Sequence, residues 1–367
     1  MRNNRFAYYT TLFLLSLCVL FVISGNTHNV EIQKRLLCHA MGIDFEQGEY
    51  EVSLQVFKPS ESGSDTPVDI TKSNIEVISA KGRTVSQAID NCESQRGKVV
   101  FLGHLKLICL GEGVKASDPK KLFDFCLDHK TVYLGLDICC AETSAKELMQ
   151  TRLTTEMVST ENYIDLISQN AERSRCGRCR LIDLLSGMDV KAVAIPVVSV
   201  HKEENKNEEP RLEITKSVLM TQEGILSATV TKEYPAVFLL SESGKEAYIP
   251  AEADGETIDI RLEKKSLKRT VVFQNGRVDY TAEMTVVAHR PKEFTRNVSK
   301  NEIADYVEKL LKKQFQTGFE HCVKENNADI FGVKKLVRMK YPQQYLKYNG
   351  MILESTTGDL KVTCHVD

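Results

Sequence analysis

"TVSQAIDNCESQRGKVVFLGHLKLICLGEG", residues Thr84 to Gly113, sets two periodicities back to back. In its first half Val85, Ala88, Ile89 and Cys92 recur at helical spacing and draw one apolar stripe. Thr84 and Gln87 stand three apart as a capping box at the start of that helix. Gly97 lies just past its end, where a left-handed residue closes the last turn. The second half is apolar on both parities, with Val99, Phe101, Leu105 and Leu107 on one and Val100, Leu102, Ile108 and Leu110 on the other. A strand of that composition has no solvent face, so "VVFLGHLKLICLG" is expected to be a central strand covered on both sides.

Upstream, "EYEVSLQVF" (Glu49 to Phe57) alternates Tyr50, Val52, Leu54 and Val56 against Glu51, Ser53 and Gln55, which predicts a half-buried strand. A polar loop rich in Pro, Gly and Ser follows at 58–69. Downstream, "SDPKKLFDFCLDH" reads as a helix with Asp118 as N-cap and Pro119 at the first helical position. "TVYLGLDICC" reads as a strand, "TSAKELMQ" as a short helix, and Tyr163 to Leu185 as helix interrupted by the basic "RSRCGRC". From Lys191 to His289 the chain is nearly all short alternating segments, split by the charged loop "HKEENKNEEP", which predicts an antiparallel sheet unit.

Ser299 and Glu302 then form a second capping box, ahead of a stripe of Ile303, Val307, Leu310 and Leu311. "DLKVTCHVD" ends the chain as a strand with Leu360, Val362, Cys364 and Val366 on one face. Strands and helices neither alternate strictly nor segregate, so the fold class is α+β, with several mixed sheet-and-helix domains after an N-terminal apolar segment. The expected divisions are a signal or membrane-anchor segment at 1–28 and an N-terminal α+β domain at 29–190. A middle, mostly antiparallel β domain follows at 191–290, and a C-terminal domain with the long helix and final strand at 291–367.

Apolar content of 42% and charged content of 27% are those of a globular protein. A formal net charge of −2 supplies no basic excess to neutralise phosphates and argues against nucleic acid as the partner. The N-terminus is different in kind. Arg2 and Arg5 precede an uncharged run from Phe6 to Gly25, about 20 residues or roughly 30 Å as a helix, the thickness of a hydrocarbon core. Held with its arginines on the cytoplasmic side, this segment places the remainder of the chain outside. Eleven cysteines, most of them in apolar periodic segments, read as reduced core filling rather than a disulfide framework.

The one short motif with chemical potential is Cys176-Gly-Arg-Cys179, with Arg178 inside it and Arg175 and Arg180 on either side. Three readings stand: a surface or packing role, thiol redox chemistry with the arginines stabilising a thiolate, and metal binding. The first is expected, and with it dispensability of both thiols, because no strand–helix redox pattern leads into the motif and no second cysteine pair completes a metal site. His104 is expected to be a hydrogen-bonded structural histidine within a strand. Gly111 and Gly113 lack the further glycine or Gly-Lys-Ser of a phosphate cradle, and Gly187 is not in a nucleophile elbow. His39 beside Cys38 and His321 beside Cys322 carry no ligand spacing. No catalytic, cofactor-binding or metal residue is expected.

The helix and strand of "TVSQAI…GKVVFLGHLKLICLGEG" resemble the Ger(x)C family of spore germination proteins, the C subunits of germinant receptors. "HAMGIDFEQGEYEVSLQVFKPS", "RLIDLLSGMDVKAVAIPVV" and "ADIFGVKKLVRMKYPQQY" are similar to further family segments, in the same order along the chain. The resemblance implies a non-enzymatic α+β body without cofactor, on the outer face of the spore inner membrane, beside integral membrane A and B subunits. Family members are normally lipoproteins, and here Asn26 occupies the lipobox cysteine position, so no lipidated residue is expected. An uncleaved N-terminal helix is then the expected membrane anchor, with ordinary signal cleavage after Ser24 or Gly25 as its rival. The alternative class is an exported ligand-binding or thiol-redox protein of similar architecture.

Overall fold

In the computed structural model, the first sheet begins with β1 (Arg35–Glu46) and β2 (Glu49–Phe57). The structure describes residues 9, 11–16, 34–57, 75–111, 113–114, 119–129, 131–151, 159–187, 191–201, 210–253, 256–289 and 299–367. Gln47 and Gly48, both at positive φ, make the two-residue turn between β1 and β2, a geometry that matches the twist of paired strands. β3 (Ile75–Gly82) adds antiparallel to β2, and α1 (Val85–Arg96) follows. Thr84 Oγ1 accepts from the Gln87 N–H at 3.1 Å, and Gly97 closes the helix at φ 60°. The Gln87 side chain answers to the Arg83 N–H rather than to that of Thr84.

The single strand expected over Val99 to Leu110 is broken. β4 (Val99–Phe101) and β5 (Leu107–Leu110) are separated by a 3₁₀ turn at Leu102–His104. Both pieces pair parallel with β1, at Arg35–Leu37 and at Ala40–Ile43, so the turn loops out of one continuous ladder. Val99 is 48% exposed, and two-sided burial holds only for β5. There Leu107 and Cys109 enter the core on one face of the sheet, and Ile108 and Leu110 the core on the other.

The sheet continues through α2 (Pro119–Asp128), β6 (Asp137–Ala141), α3 (Ala145–Gln150), α4 (Ser159–Glu172), β7 (Cys179–Arg180) and α5 (Leu181–Gly187). β8 (Val193–His201), β9 (Arg211–Thr221) and β10 (Gly224–Thr231) complete it, in the order β10-β9-β8-β6-β5-β1-β2-β3. The four central strands are parallel and the wings antiparallel. Residues of α1 and α2 (Ile89, Cys92, Phe123, Phe125) share the core on one face, and residues of α3 and α4 (Met149, Tyr163, Ile167) that on the other. Parallel strands need such crossovers, which cover both faces. The cover also corrects the reading of β2, whose Ser53 and Gln55 are buried rather than solvent-facing. Ser53 Oγ lies 2.8 Å from Ser79 Oγ, while Gln55 donates to Met149 O at 2.7 Å and accepts from Thr160 Oγ1 at 2.8 Å.

The second sheet follows α6 (Pro235–Leu239) and contains β11 (Glu246–Ala253), β12 (Glu256–Gln274) and β13 (Arg277–His289), the last two joined at Asn275 and Gly276 by a second positive-φ turn. α7 (Lys300–Phe319), with its complete Ser299–Glu302 capping box, a π turn (Glu320–Glu325), α8 (Val333–Lys340) and α9 (Pro342–Tyr348) lead to β14 (Thr356–Val366). β14 pairs parallel with β13 and completes the order β11-β12-β13-β14. Val307, Leu311 and Phe315 of α7 meet Val278, Tyr280 and Leu360 in one core, while β13 alternates buried and exposed residues. A bulge between Lys264 and Ser266 shifts the phase of β12 by one residue. With it Ile260 and Leu262 before the bulge and Val271 after it all reach the same core.

The stretch 191–290, expected as one antiparallel unit, divides between the sheets. β8–β10 extend the first, and β11–β13 build the second together with β14. Alternation reports that a strand has one covered face, not which sheet supplies its neighbours. Among the described residues no helix is long and apolar enough to cross a membrane. Most of Phe6 to Gly25, together with Asn26 and Asp118, lies outside the described residues.

Candidate functional site

Asp137 opens β6 with its side chain buried, and Arg178 reaches it from the loop after α4. Arg178 Nε donates to Oδ1 at 2.8 Å and Nη2 to Oδ2 at 3.0 Å, while Nη1 donates to Ser168 Oγ at 3.2 Å. This two-pronged pairing is the strong form of a charge-assisted hydrogen bond. It sits at the edge of a cavity of about 440 Å³ where the two sheets meet, lined among others by Arg180, Lys191, Glu242, Arg269 and Phe331. The backbone also joins the sheets: the Ala192 N–H donates to Asp329 O at 3.0 Å, and the Lys245 N–H to Glu172 O at 2.8 Å.

The cations of this junction are largely committed. Arg180 pairs with Asp183 at 3.2 Å. Arg269 donates to Leu240 O, and Lys264 Nζ to Leu239 O and Ser241 O, each at 2.8 Å. These carbonyls end α6 and would otherwise be orphans, so two cations meet the negative end of the helix. Burial, then the charge of Arg269, lowers the Lys264 pKa to about 8. Ser241 Oγ donates to Phe238 O at 2.6 Å and accepts from the Gly244 N–H at 3.1 Å.

The Cys176/Cys179 motif is not a reactive pair. Cys176 lies in the core beside Tyr163 and Ile167, whereas Cys179 lies in the core of the opposite sheet face with Leu181 and Ile138. Burial pushes the Cys176 thiol up to about 12 and drives that of Cys179 up as well. Arg178, expected as a thiolate partner on the redox reading, serves Asp137 instead. None of the ten described cysteines forms a disulfide, which agrees with core filling. Both sulfurs are buried packing atoms, so their replacement is expected to cost stability rather than leave it unchanged.

His104 is exposed at the end of the 3₁₀ turn, not within a strand. Its ring stacks on His39 at 6.0 Å and meets Phe101 edge-on at 5.7 Å. Burial, then the charges of His104 and Lys106, lowers the pKa of His39, against Glu161. His321 contacts Glu325 at 3.0 Å and Thr229 O at 3.1 Å. Gly187 ends α5, and the Gly111 N–H donates to Ile43 O. Among the described residues no three His, Cys, Asp or Glu side chains converge as metal ligands.

Comparison with family models matches residues 28–200 to the spore germination protein N-terminal domain and residues 230–367 to the spore germination B3/GerAC-like C-terminal domain. The chain belongs to the Ger(x)C family of spore germination proteins. The crystal structure of the GerBC protein superposes with a TM-score of 0.52 at 14% identity, over 89% of this chain and 96% of that one, and so shares its fold. A search of curated proteins finds no match.

Two acids in the Ger(x)C segments, absent from the expectations drawn from sequence, do structural work here. Asp44 of "MGID" accepts from the Ala145 and Lys146 N–H groups at 2.8 and 2.9 Å and from Ser144 Oγ at 3.1 Å. It thereby caps α3 from a strand about a hundred residues away in sequence. Gly111 faces this cap, and a Cβ there would stand 1.8 Å from Asp44 Oδ1. Asp329 of "ADIFG" accepts from the Val333 and Lys334 N–H groups at 2.9 and 2.7 Å and caps α8. Burial raises its pKa, against the backbone N–H groups that hold the charged form. Here a local signal exists, because Asp329 stands just before Gly332, whose φ of 77° opens the helix.

Proposed function

We propose that the chain is the C subunit of a germinant receptor, a non-enzymatic coupling or scaffold subunit. It acts beside integral A and B subunits on the outer face of the spore inner membrane. The observation that carries this reading is the use of the motif charges: Asp44, Asp329 and the Asp137–Arg178 pair are consumed by helix caps and a strand–loop tie. The uncharged segment Phe6 to Gly25 anchors the body without lipid, since Asn26 carries no thiol for thioether formation. The working division of the body follows the two sheets.

The test is affinity recovery of the tagged chain from detergent-solubilised spore membranes, with polytopic A and B subunits expected in the eluate. Their absence would overturn the receptor reading, as would turnover of a substrate by the purified body that a single substitution abolishes. For the anchor, intact mass and N-terminal sequencing are expected to show the uncleaved chain. A mature soluble protein beginning at Gly25 or Asn26 would refute it.

A further inference from the structure

Between Val333 and Met351 the chain has no acidic residue, while Lys334, Lys335, Arg338, Lys340 and Lys347 supply five positive charges in a protein of net charge −2. α8 and α9 turn Val333, Val337 and Tyr345 inward against the second sheet. Their other side exposes Met339 (72%), Leu346 (82%) and, just beyond α9, Met351 (54%). Tyr341 and Tyr348 pack their rings against Phe273 at 6.1 and 5.6 Å, beneath this surface. Lys340 Nζ stands 5.4 Å from the ring of Tyr341, and Lys347 Nζ 5.1 Å from that of Tyr348. The result is an aromatic layer with apolar tips and exposed cations such as Lys335 and Lys347 on the same two helices, with Lys340 Nζ also donating to Val271 O at 3.0 Å.

That combination selects among partners. A phosphate-bearing polymer would engage the lysines and leave Met339, Leu346 and Met351 in water. A protein groove would take the apolar tips but gives no reason for five cations and no acid within the segment 333–351. An anionic bilayer uses both, since its headgroups attract the cations and its acyl boundary receives the apolar side chains. We propose that the α8–α9 surface docks peripherally on an anionic membrane. Met339, Leu346 and Met351 enter the headgroup–acyl boundary, and Lys335 and Lys347 meet lipid phosphates. This deepens the membrane placement proposed above and rests on it. A segment that tethers one end of the chain does not orient the body, and a second contact on α8–α9 does.

The chain has no tryptophan, so Leu346→Trp in the full-length protein is a single fluorescent reporter at a side chain that is already exposed. The expected result is a blue-shifted emission, quenched by brominated acyl chains, in vesicles containing phosphatidylglycerol. Pure phosphatidylcholine vesicles should give neither, and about 0.5 M salt should abolish the shift because charges are then screened within a few Å. Adding Lys335→Gln and Lys347→Gln lowers the docking equilibrium constant about 25-fold, about fivefold for each charge. Leu127→Trp, an exposed position on α2 in the first sheet's unit, is expected to stay unshifted. Met351→Trp repeats the measurement should Leu346→Trp fail to fold. Unchanged emission in anionic vesicles, or an equal shift in both lipids, would overturn the proposal. A shift in native spore membranes that is absent in vesicles of their extracted lipids would assign the surface to a protein partner and overturn it as well. Recovery of A and B subunits is read separately, so failure of the patch is distinguishable from failure of the receptor reading.

Discussion

Arg178→Met is expected to destabilise the protein more than Asp137→Asn, although both break the same ion pair. The Asp137 side chain is 5% exposed and that of Arg178 32%. Without the guanidinium, the carboxylate keeps no side-chain hydrogen bond among the described residues and stays buried as an unpartnered charge. That loss costs about 3–5 kcal/mol. In the reverse case the guanidinium retains Ser168 Oγ and its share of solvent, and the oxygen of the introduced amide still accepts one N–H. Its cost is about 1–2 kcal/mol, that of a weakened hydrogen bond to a charged group. With the carboxylate already removed, Arg178→Met costs about 1 kcal/mol, so the cycle closes on a coupling of about 2–4 kcal/mol. Urea unfolding of the body from residue 29, followed by circular dichroism for both single variants and the double, measures each term as a midpoint shift at constant slope. Equal single costs, or additivity within about 0.5 kcal/mol, would show that the pair is solvated and ties nothing together.

Cys176→Ser and Cys179→Ser are each expected to cost about 1–3 kcal/mol, because each hydroxyl enters an apolar core without a prepared partner. A thiol reagent should then modify neither cysteine before unfolding, and fast labelling of the native chain would contradict their placement. Gly111→Ala is expected to cost about 2–4 kcal/mol by expelling the Asp44 cap, but under about 1 kcal/mol when Asp44→Ala has already removed it. Identical costs in the two backgrounds would refute the contact. Lys264 falls to about 8 in the folded protein from an ordinary 10.5. The unfolded chain therefore holds more protons between these values, and stability from this group rises as pH increases from about 8 towards 10. Lys264→Met should flatten that slope in pH-dependent unfolding, and an unchanged slope would rule it out.

Whatever a few neighbouring residues settle among themselves was legible in the chain before it folds. α1 begins at the Thr84 cap and ends at Gly97, and α7 begins at the Ser299–Glu302 box, because capping bonds span only three or four positions. The inward face of β14 and the reduced state of the described cysteines were legible for the same reason: period and apolar setting are local properties. The turns at Gln47–Gly48 and Asn275–Gly276 carry a glycine signal of the same local kind. Packing across the molecule, by contrast, set the break at Leu102–His104, the burial of Gln55 under α3 and α4, and the division of 191–290 between two sheets. It also gave Arg178 to Asp137 rather than to a thiolate, and made Asp44 the cap of a helix far along the chain. In each of these a polar group or a strand edge found its partner across a gap of sequence that no periodicity spans. The energy of that partner, not the preference of the segment, chose the outcome.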